Sequence, residues 1–103
     1  MNLTDFGRFS DPALLILASL ASGPKHGYSM MTDIEIMTGV RLGPGTLYGA
    51  LARLEHSGLI KSMPAEDRRR PYQLTTKGAA ALREQLSLLQ KLASTGLKRL
   101  AAP

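Results

Sequence analysis

The sequence predicts a mainly α-helical fold with one small β-hairpin, followed by a long C-terminal helix. Three observations indicate it: apolar residues recur at helical spacing up to residue 58, alternate with a period of two from 59 to 74, and return to helical spacing from 75 onward. A chain of 103 residues is long enough for one domain with one core. We expect an N-terminal arm at 1–10, a compact domain at 11–75 and the long helix at 76–103.

Two helices are predicted near the start of the chain. The first covers Ala13–Ala21, because Ser10-Asp11-Pro12 supplies a cap and a proline at the first helical position, and Ser22-Gly23-Pro24 ends the apolar run. The second covers Tyr28–Thr38, and Gly39 ends it. Its apolar face is expected to comprise Tyr28, Met31, Ile34 and Met37, which favours a core position for Tyr28 over the alternative of a contact with a partner. In the arm, Phe6 and Phe9 are candidates to fix the segment to the body or to a partner subunit.

A third helix is predicted between Gly43 and Gly58. Pro44 and Gly45 bend the chain in, Thr46 either caps the helix or lies in its first turn, and Gly58 suits a left-handed end. One face carries leucines at i, i+4 and i+7 and must be buried: Leu47, Leu51 and Leu54. The outer face is small and nearly free of acids: Gly45, Gly49, Ala52, Arg53 and His56, flanked by Thr46 and Tyr48. Such a face is typical of a helix that lies against another surface, so we interpret it as a recognition helix.

A β-hairpin is predicted after this helix. Leu59–Met63 forms one strand, Pro64–Arg69 the turn and Arg70–Leu74 the second strand, with Pro71 at an edge or among its first residues. The link 40–43 is short, so the second and third helices must meet at a steep angle. Three helices followed by a hairpin are the order of a winged helix-turn-helix domain.

The last helix begins at Thr75 or Thr76, either of which can cap it, and reaches Leu100. Its apolar stripe is too long for the preceding domain to cover, which predicts pairing with the same helix of a second copy. The residues expected in that interface are Leu82, Leu86, Leu89, Ala93 and Leu100. Gly96 is expected to weaken the helix, with fraying beyond it.

The chain resembles the PadR family of bacterial transcriptional regulators from about residue 13 to residue 82. The matching residues are Ile16-Leu17 through Gly23-Pro24, His26-Gly27-Tyr28, Pro44-Gly45-Thr46-Leu47-Tyr48, Leu51, Arg53-Leu54-Glu55, Gly58-Leu59-Ile60, Arg69-Arg70, Tyr72, Leu74-Thr75 and Lys77-Gly78. The resemblance implies a winged helix-turn-helix that binds a roughly palindromic operator as a homodimer, usually as a repressor, and dimerises through a single C-terminal helix. Two residues depart from the family pattern: Gly49 stands where proline is common and Ala52 where lysine is frequent.

The charge of the chain agrees with a polyanionic partner. Lys and Arg outnumber Asp and Glu by 13 to 8, for a net charge of +5. The residues expected to contact double-stranded DNA are Arg41, Gly45, Thr46, Tyr48, Arg53, His56, Arg68, Arg69, Arg70 and Tyr72. Alternatives stay open: a solvated turn for the three arginines, balanced by acids at 66 and 67, a half-buried Tyr48, and an internal acid as the partner of Arg53. The competing function is a winged helix that binds protein or RNA.

Composition limits the other function classes. The chain has no cysteine, which excludes disulfides and thiolate metal sites and fits a reducing cytoplasm. His26 and His56, its two histidines, belong to no metal-ligating set, and nothing predicts a cofactor or the nucleophile and base of an enzyme. No signal pattern or long apolar run is present, so we expect a soluble cytoplasmic protein without a membrane partner. If a small-molecule effector exists, the sequence does not identify it.

Overall fold

The computed structural model describes residues 11–103, and within that range it contains four helices and one small antiparallel sheet. The helices are α1 (Pro12–Leu20), α2 (Gly27–Thr38), α3 (Pro44–His56) and α4 (Thr76–Ala101), and the strands are β1 (Ile60–Ser62) and β2 (Tyr72–Leu74). The predicted order of elements and the mainly helical class are confirmed. The expectation for Phe6 and Phe9 lies outside the described residues.

The helix ends follow the local signals in the sequence. The Asp11 side chain accepts a hydrogen bond from the Ala13 N–H at 3.0 Å, and Pro12 is the first residue of α1. Of the two candidate threonines, Thr75 caps α4, since its Oγ1 accepts from the Gly78 N–H at 3.0 Å. Gly43 is the N-cap of α3 without a side-chain bond, so Thr46 lies in the first turn and does not cap the helix.

The core lies where α1 packs against α2, α3 and α4. The predicted inward face of α3 is confirmed, because Leu47, Leu51 and Leu54 are all buried. The prediction for Tyr28 is wrong, since its side chain is 69% exposed, and Met37 of the same predicted face is exposed as well. Ile34 is buried as predicted, together with Met30. A strict three-residue spacing rotates by about 60° at each step, so it drifts off the buried face within three repeats.

The hairpin, residues 60–74, is called the wing below. Its register pairs Ile60 with Leu74 and Ser62 with Tyr72, so the strands are shorter than predicted. At the tip, Glu66 and Arg69 exchange two backbone hydrogen bonds of 2.6 and 2.8 Å around a two-residue turn. A further antiparallel bridge on the free edge of β2 joins Tyr72 to Lys25, in the loop before α2. The wing is therefore attached to the helical body at a position that the strand pattern did not indicate.

Helix α4 spans 26 residues, of which only Gly78 and Leu82 are buried. A Cβ at position 78 would overlap the carbonyl oxygen of Leu59, so glycine is required where α4 crosses the start of the wing. Leu82 differs from its expected role: it is 5% exposed and belongs to the core of its own chain, because the first two turns of α4 pack on α1. The helix continues through Gly96 to Ala101, beyond the point at which fraying was expected. Among residues 11–103, no helix combines the length and apolarity that crossing a bilayer requires.

Candidate nucleic-acid interface

Helix α3 presents an outer surface without acids at its N-terminal end. Gly45, Thr46, Ala52, Arg53 and His56 are all exposed, whereas the leucines of the same helix are buried. No acidic residue lies in the first turn, and the last turn carries Arg53 and His56. The free N–H groups and partial positive charge of the first turn favour an anion there. The fold thus exposes these residues of the predicted outer face.

Tyr48 reaches from α3 to the beginning of α2. Its side chain is 49% exposed, and a Cβ at Gly27 would lie 2.5 Å from the Tyr48 hydroxyl oxygen. The glycine therefore makes room for the phenol, which rests on the backbone of α2 while half of it faces solvent. The sequence left two alternatives for Tyr48, packing against the body and contact with a partner. This arrangement is compatible with both.

A cleft of about 370 Å³ separates the wing from the N-terminal ends of α2 and α3. It is lined by His26, Gly27, Tyr28, Tyr48, Arg68, Arg69, Arg70 and Tyr72. None of these residues is acidic, and they include three arginines and three tyrosines. This geometry suits a polyanion backbone, because arginine binds phosphate oxygens through several donors at once and phenols add neutral donors.

The arginines of the wing are not balanced by the neighbouring acids. All three are exposed, and the ion pairs within 4.0 Å among residues 11–103 are Lys25–Asp33 and Arg41–Glu35 alone. Glu66 meets Arg69 through backbone atoms only. The alternative of a turn neutralised by its own acids therefore has no ion pair to support it.

The Tyr72 phenol, on β2 of the wing, has a perturbed pKa. Burial raises the pKa of Tyr72 above its ordinary value, the negative charge of Glu55 and the nearby Tyr48 raise it further, and Arg70 opposes them. The phenol therefore stays protonated at neutral pH. It remains available as a neutral hydrogen-bond donor to an anion in the cleft.

Arg41 lies apart from the cleft. Its Nη2 donates to Glu35 Oε1 at 3.0 Å, and this hydrogen bond, together with the opposite charge, raises the pKa of the Arg41 guanidinium. The pair joins the loop before α3 to α2 on an exposed surface. The Arg41 side chain is still 82% exposed, so the expectation that it reaches a DNA backbone stays a prediction.

Arg53 has no acid within 4.0 Å among the described residues, so the internal ion pair considered for it is not formed. Its Nη1 lies 3.6 Å from the place where a Cβ of Gly49 would stand, so the side chain folds back along the outer face of α3. The nearest acid in sequence is Glu55, two residues on. It is directed to the wing, where it accepts from the Ser62 N–H at 3.2 Å and from Ser62 Oγ at 2.7 Å. Arg53 thus lies exposed and without an ion pair on the outer face of α3.

Sequence reasoning did not place the start of α2 in the site. His26, Gly27 and Tyr28 line the cleft, and His26 Nδ1 is buried without a hydrogen-bond partner. The signal that pointed to them was the His-Gly-Tyr motif of the family resemblance, which the periodicity of α2 obscured. The exposed position of Tyr28 makes the motif part of a surface.

Comparison with known proteins identifies relatives over most of the chain. The sequence profile of the family described as "Transcriptional regulator PadR-like family" matches residues 16–84. An uncharacterized 37.1 kDa protein in transposon TN4556 of Streptomyces fradiae is 44% identical over 85 residues, which are 82% of this chain but 25% of that protein, so the chain spans only about a quarter of its length. Transcriptional regulator Rv3488 of Mycobacterium tuberculosis is 40% identical over 86 residues, 78% of this chain and 77% of that protein. The crystal structure of a PadR family transcription regulator from Clostridium difficile R20291 superposes with a TM-score of 0.78 at 25% identity and covers 87% of this chain and 98% of that one.

Proposed function

The chain belongs to the PadR-like family of transcriptional regulators, and on that premise we propose that it binds duplex DNA as a homodimer and represses transcription. One observation carries the proposal: the N-terminal end of α3 and the three arginines of the wing border one cleft that no acid lines among the described residues. The helix proposed to contact the bases and the arginines proposed to contact the DNA backbone therefore face the same side of the molecule.

Helix α3 is the element proposed to enter the major groove. Gly45, Gly49 and Ala52 allow a close approach to the base edges, and Arg53 supplies a long donor beside them. Thr46 and Tyr48 stand at the N-terminal end, where a phosphate is favoured. The arginines of the wing then hold the adjacent backbone or the narrow minor groove.

Helix α4 is the proposed dimer interface. At 1.5 Å per residue it is about 39 Å long, yet only its first two turns contribute buried residues. Of the six leucines beyond that point, Leu89 is half-buried and the other five are exposed in one chain: Leu86, Leu88, Leu92, Leu97 and Leu100. We propose that Leu86, Leu89, Ala93 and Leu100 pair with a second copy, whereas Leu82 stabilises its own core. Leu88, Leu92 and Leu97 widen the proposed interface on its flanks. A two-fold axis at this helix would present two α3 helices to half-sites about 10 bp apart in a palindromic operator.

Salt dependence of DNA binding tests the proposal. Fragments selected from genomic DNA supply the duplex, and log K is measured against log [salt] for the wild type and Arg69→Ala. The substitution removes one phosphate contact from each subunit, so the slope for a bound dimer should become shallower by about two units with little change in sequence preference. Arg83→Ala on α4 makes the same charge change away from the cleft and should leave the slope unaltered. Equal slopes for wild type and Arg69→Ala would remove the wing from the interface.

The competing function, a winged helix that binds protein or RNA, gives a different competition result. Heparin, random duplex and RNA of equal length compete equally for a general polyanion surface. A duplex-specific regulator should instead retain the selected fragment against a large excess of each. Loss of that preference at low ionic strength would contradict the DNA proposal and favour the alternative.

A further inference from the structure

We propose, on the basis of the function proposed above, that Lys25 is a positioning residue that holds the wing at a fixed distance from α2 and α3. Lys25 lies in the loop between α1 and α2 and is absent from the set of residues expected to touch DNA. Its backbone is bonded to the wing, whereas its side chain is bonded to the helical body.

The backbone of Lys25 adds a one-residue third strand to the wing. The Lys25 N–H donates to the Tyr72 carbonyl at 3.1 Å, and the Tyr72 N–H donates to the Lys25 carbonyl at 2.9 Å. Tyr72 pairs with Ser62 on its other side, so this residue of β2 lies between two neighbours. A pair of three-residue strands is marginal alone, so such an attachment has a large influence on where the wing rests.

The side chain of Lys25 is anchored to both flanking helices. Its Nζ donates to the carbonyl oxygen of Ser19 near the end of α1 and to Ser22 Oγ at 2.6 Å, and it lies 4.0 Å from Asp33 Oδ2 on α2. The Ser19 hydroxyl, which is buried, donates to the same Asp33 oxygen at 2.6 Å. Replacing the ammonium would leave a part-buried carboxylate and a carbonyl without their cation, which loosens the loop.

The connection leads directly to the DNA-facing side. Tyr72 is two residues from Arg70 and lines the cleft, and His26 and Gly27, which follow Lys25, line its opposite wall. A shift of Lys25 relative to α2 therefore changes the distance between the arginines of the wing and the N-terminal end of α3. Since phosphate contacts depend on that spacing, the proposed role acts through the wing and involves no contact between Lys25 and DNA.

The first experiment is a double-mutant cycle on DNA affinity. Lys25→Met should weaken binding about tenfold, because it misplaces up to three phosphate-binding arginines. In a chain whose Arg68, Arg69 and Arg70 are all alanine, the same substitution should have less than about a twofold further effect, since coupled residues are not additive. Lys77→Met is the matched control, because it removes the same charge at a different place. The Lys77 Nζ donates to the Ser57 carbonyl at 3.0 Å and joins α4 to the end of α3. The small effect of Lys77→Met should be equal in both backgrounds.

A second measurement does not depend on DNA. Native-state hydrogen exchange should become about tenfold faster in Lys25→Met at the wing amides of Met63 and Tyr72, whereas the amide of Leu51 in α3 keeps its protection. If Lys25→Met does not fold, Ser22→Ala removes one acceptor of the ammonium at an exposed site and should show a smaller effect of the same pattern.

The outcomes separate the two proposals. Equal losses of affinity with and without the arginines, or equally faster exchange at Leu51 and Tyr72, would overturn the positioning role. Failure of the wild type to bind duplex DNA would overturn the proposed function alone. In that case the exchange experiment still decides whether Lys25 holds the wing.

Discussion

The hydroxyl oxygen of Tyr48 on α3 rests against Gly27, the first residue of α2, where a side chain would lie 2.5 Å from it. We predict that Gly27→Ala displaces the phenol outward and weakens DNA binding several-fold, while thermal unfolding changes little because the end of a flexible side chain can move. Binding isotherms and melting curves measure the two effects. In a Tyr48→Ala background the substitution at 27 should no longer affect binding; an undiminished effect would show that the phenol is not the reason for the glycine.

Gly49 has opposite consequences for stability and binding. A Cβ there would meet only the end of Arg53, at an ordinary contact distance of 3.6 Å, so the fold does not require glycine. We predict that Gly49→Ala raises the free energy of unfolding by about 1 kcal/mol but lowers DNA affinity, because the added methyl stands on the face proposed to approach the bases. Denaturant unfolding and a binding titration measure the two quantities. Improved stability with unchanged affinity would place this part of α3 outside the interface.

The raised pKa of Tyr72 predicts that the protein loses stability at alkaline pH. Its folded pKa is raised by burial, so its stabilising contribution is complete below the ordinary tyrosine pKa of about 10 and is lost as the pH rises through the folded value. We predict that Tyr72→Phe makes the loss of unfolding free energy between pH 8 and pH 11 smaller than in the wild type. Urea unfolding across that range measures it. Tyr28→Phe is the control, since that phenol is 69% exposed and should leave the wild-type profile unchanged; a Tyr72→Phe profile that also matches the wild type would contradict the assignment.

The exposed part of α4 makes a prediction about assembly. Leu92 is 68% exposed in one chain, so Leu92→Glu should leave the fold of the monomer intact while placing two like charges in a paired interface. Sedimentation velocity should then show monomers where the wild type forms dimers, and DNA affinity should fall with the loss of the second half-site contact. Ser94→Glu adds the same charge two residues on, about 160° around the helix, and should remain dimeric. A dimeric Leu92→Glu would require another interface.

The strongest parts of the sequence prediction were those set by local chemistry. Proline at 12, the left-handed glycines at 39 and 58, and the leucines of α3 each act within one turn of helix, so the residues alone decide them. The misplaced residues depend on partners distant in sequence. Tyr28 lines the cleft beside Tyr48 and the wing instead of the core, and Leu82 is buried because α4 crosses α1 before it leaves the domain.

The site divides in the same way. The outer face of α3 and the arginines of the wing were predicted from composition and spacing, because each group is contiguous in sequence. The tie of Arg41 to Glu35 and the bridge from Lys25 to Tyr72 were not predictable from the pattern. Those contacts span 6 and 47 residues, respectively (41 − 35 and 72 − 25), and only the folded chain brings them together.

The turn at the tip of the wing holds Asp67 and Arg68 at φ values of 48° and 67°, a conformation that Asn-Gly adopts most readily. Replacing residues 67–68 by Asn-Gly would therefore stabilise the hairpin, because each substitution relieves backbone strain. The arginine half of that exchange would also delete a cation from the tip. Thermal stability and affinity for a polyanion therefore favour different residues at 67 and 68. Among variants in which both positions are changed together, the more stable hairpins should bind weakly and the strained ones should bind tightly.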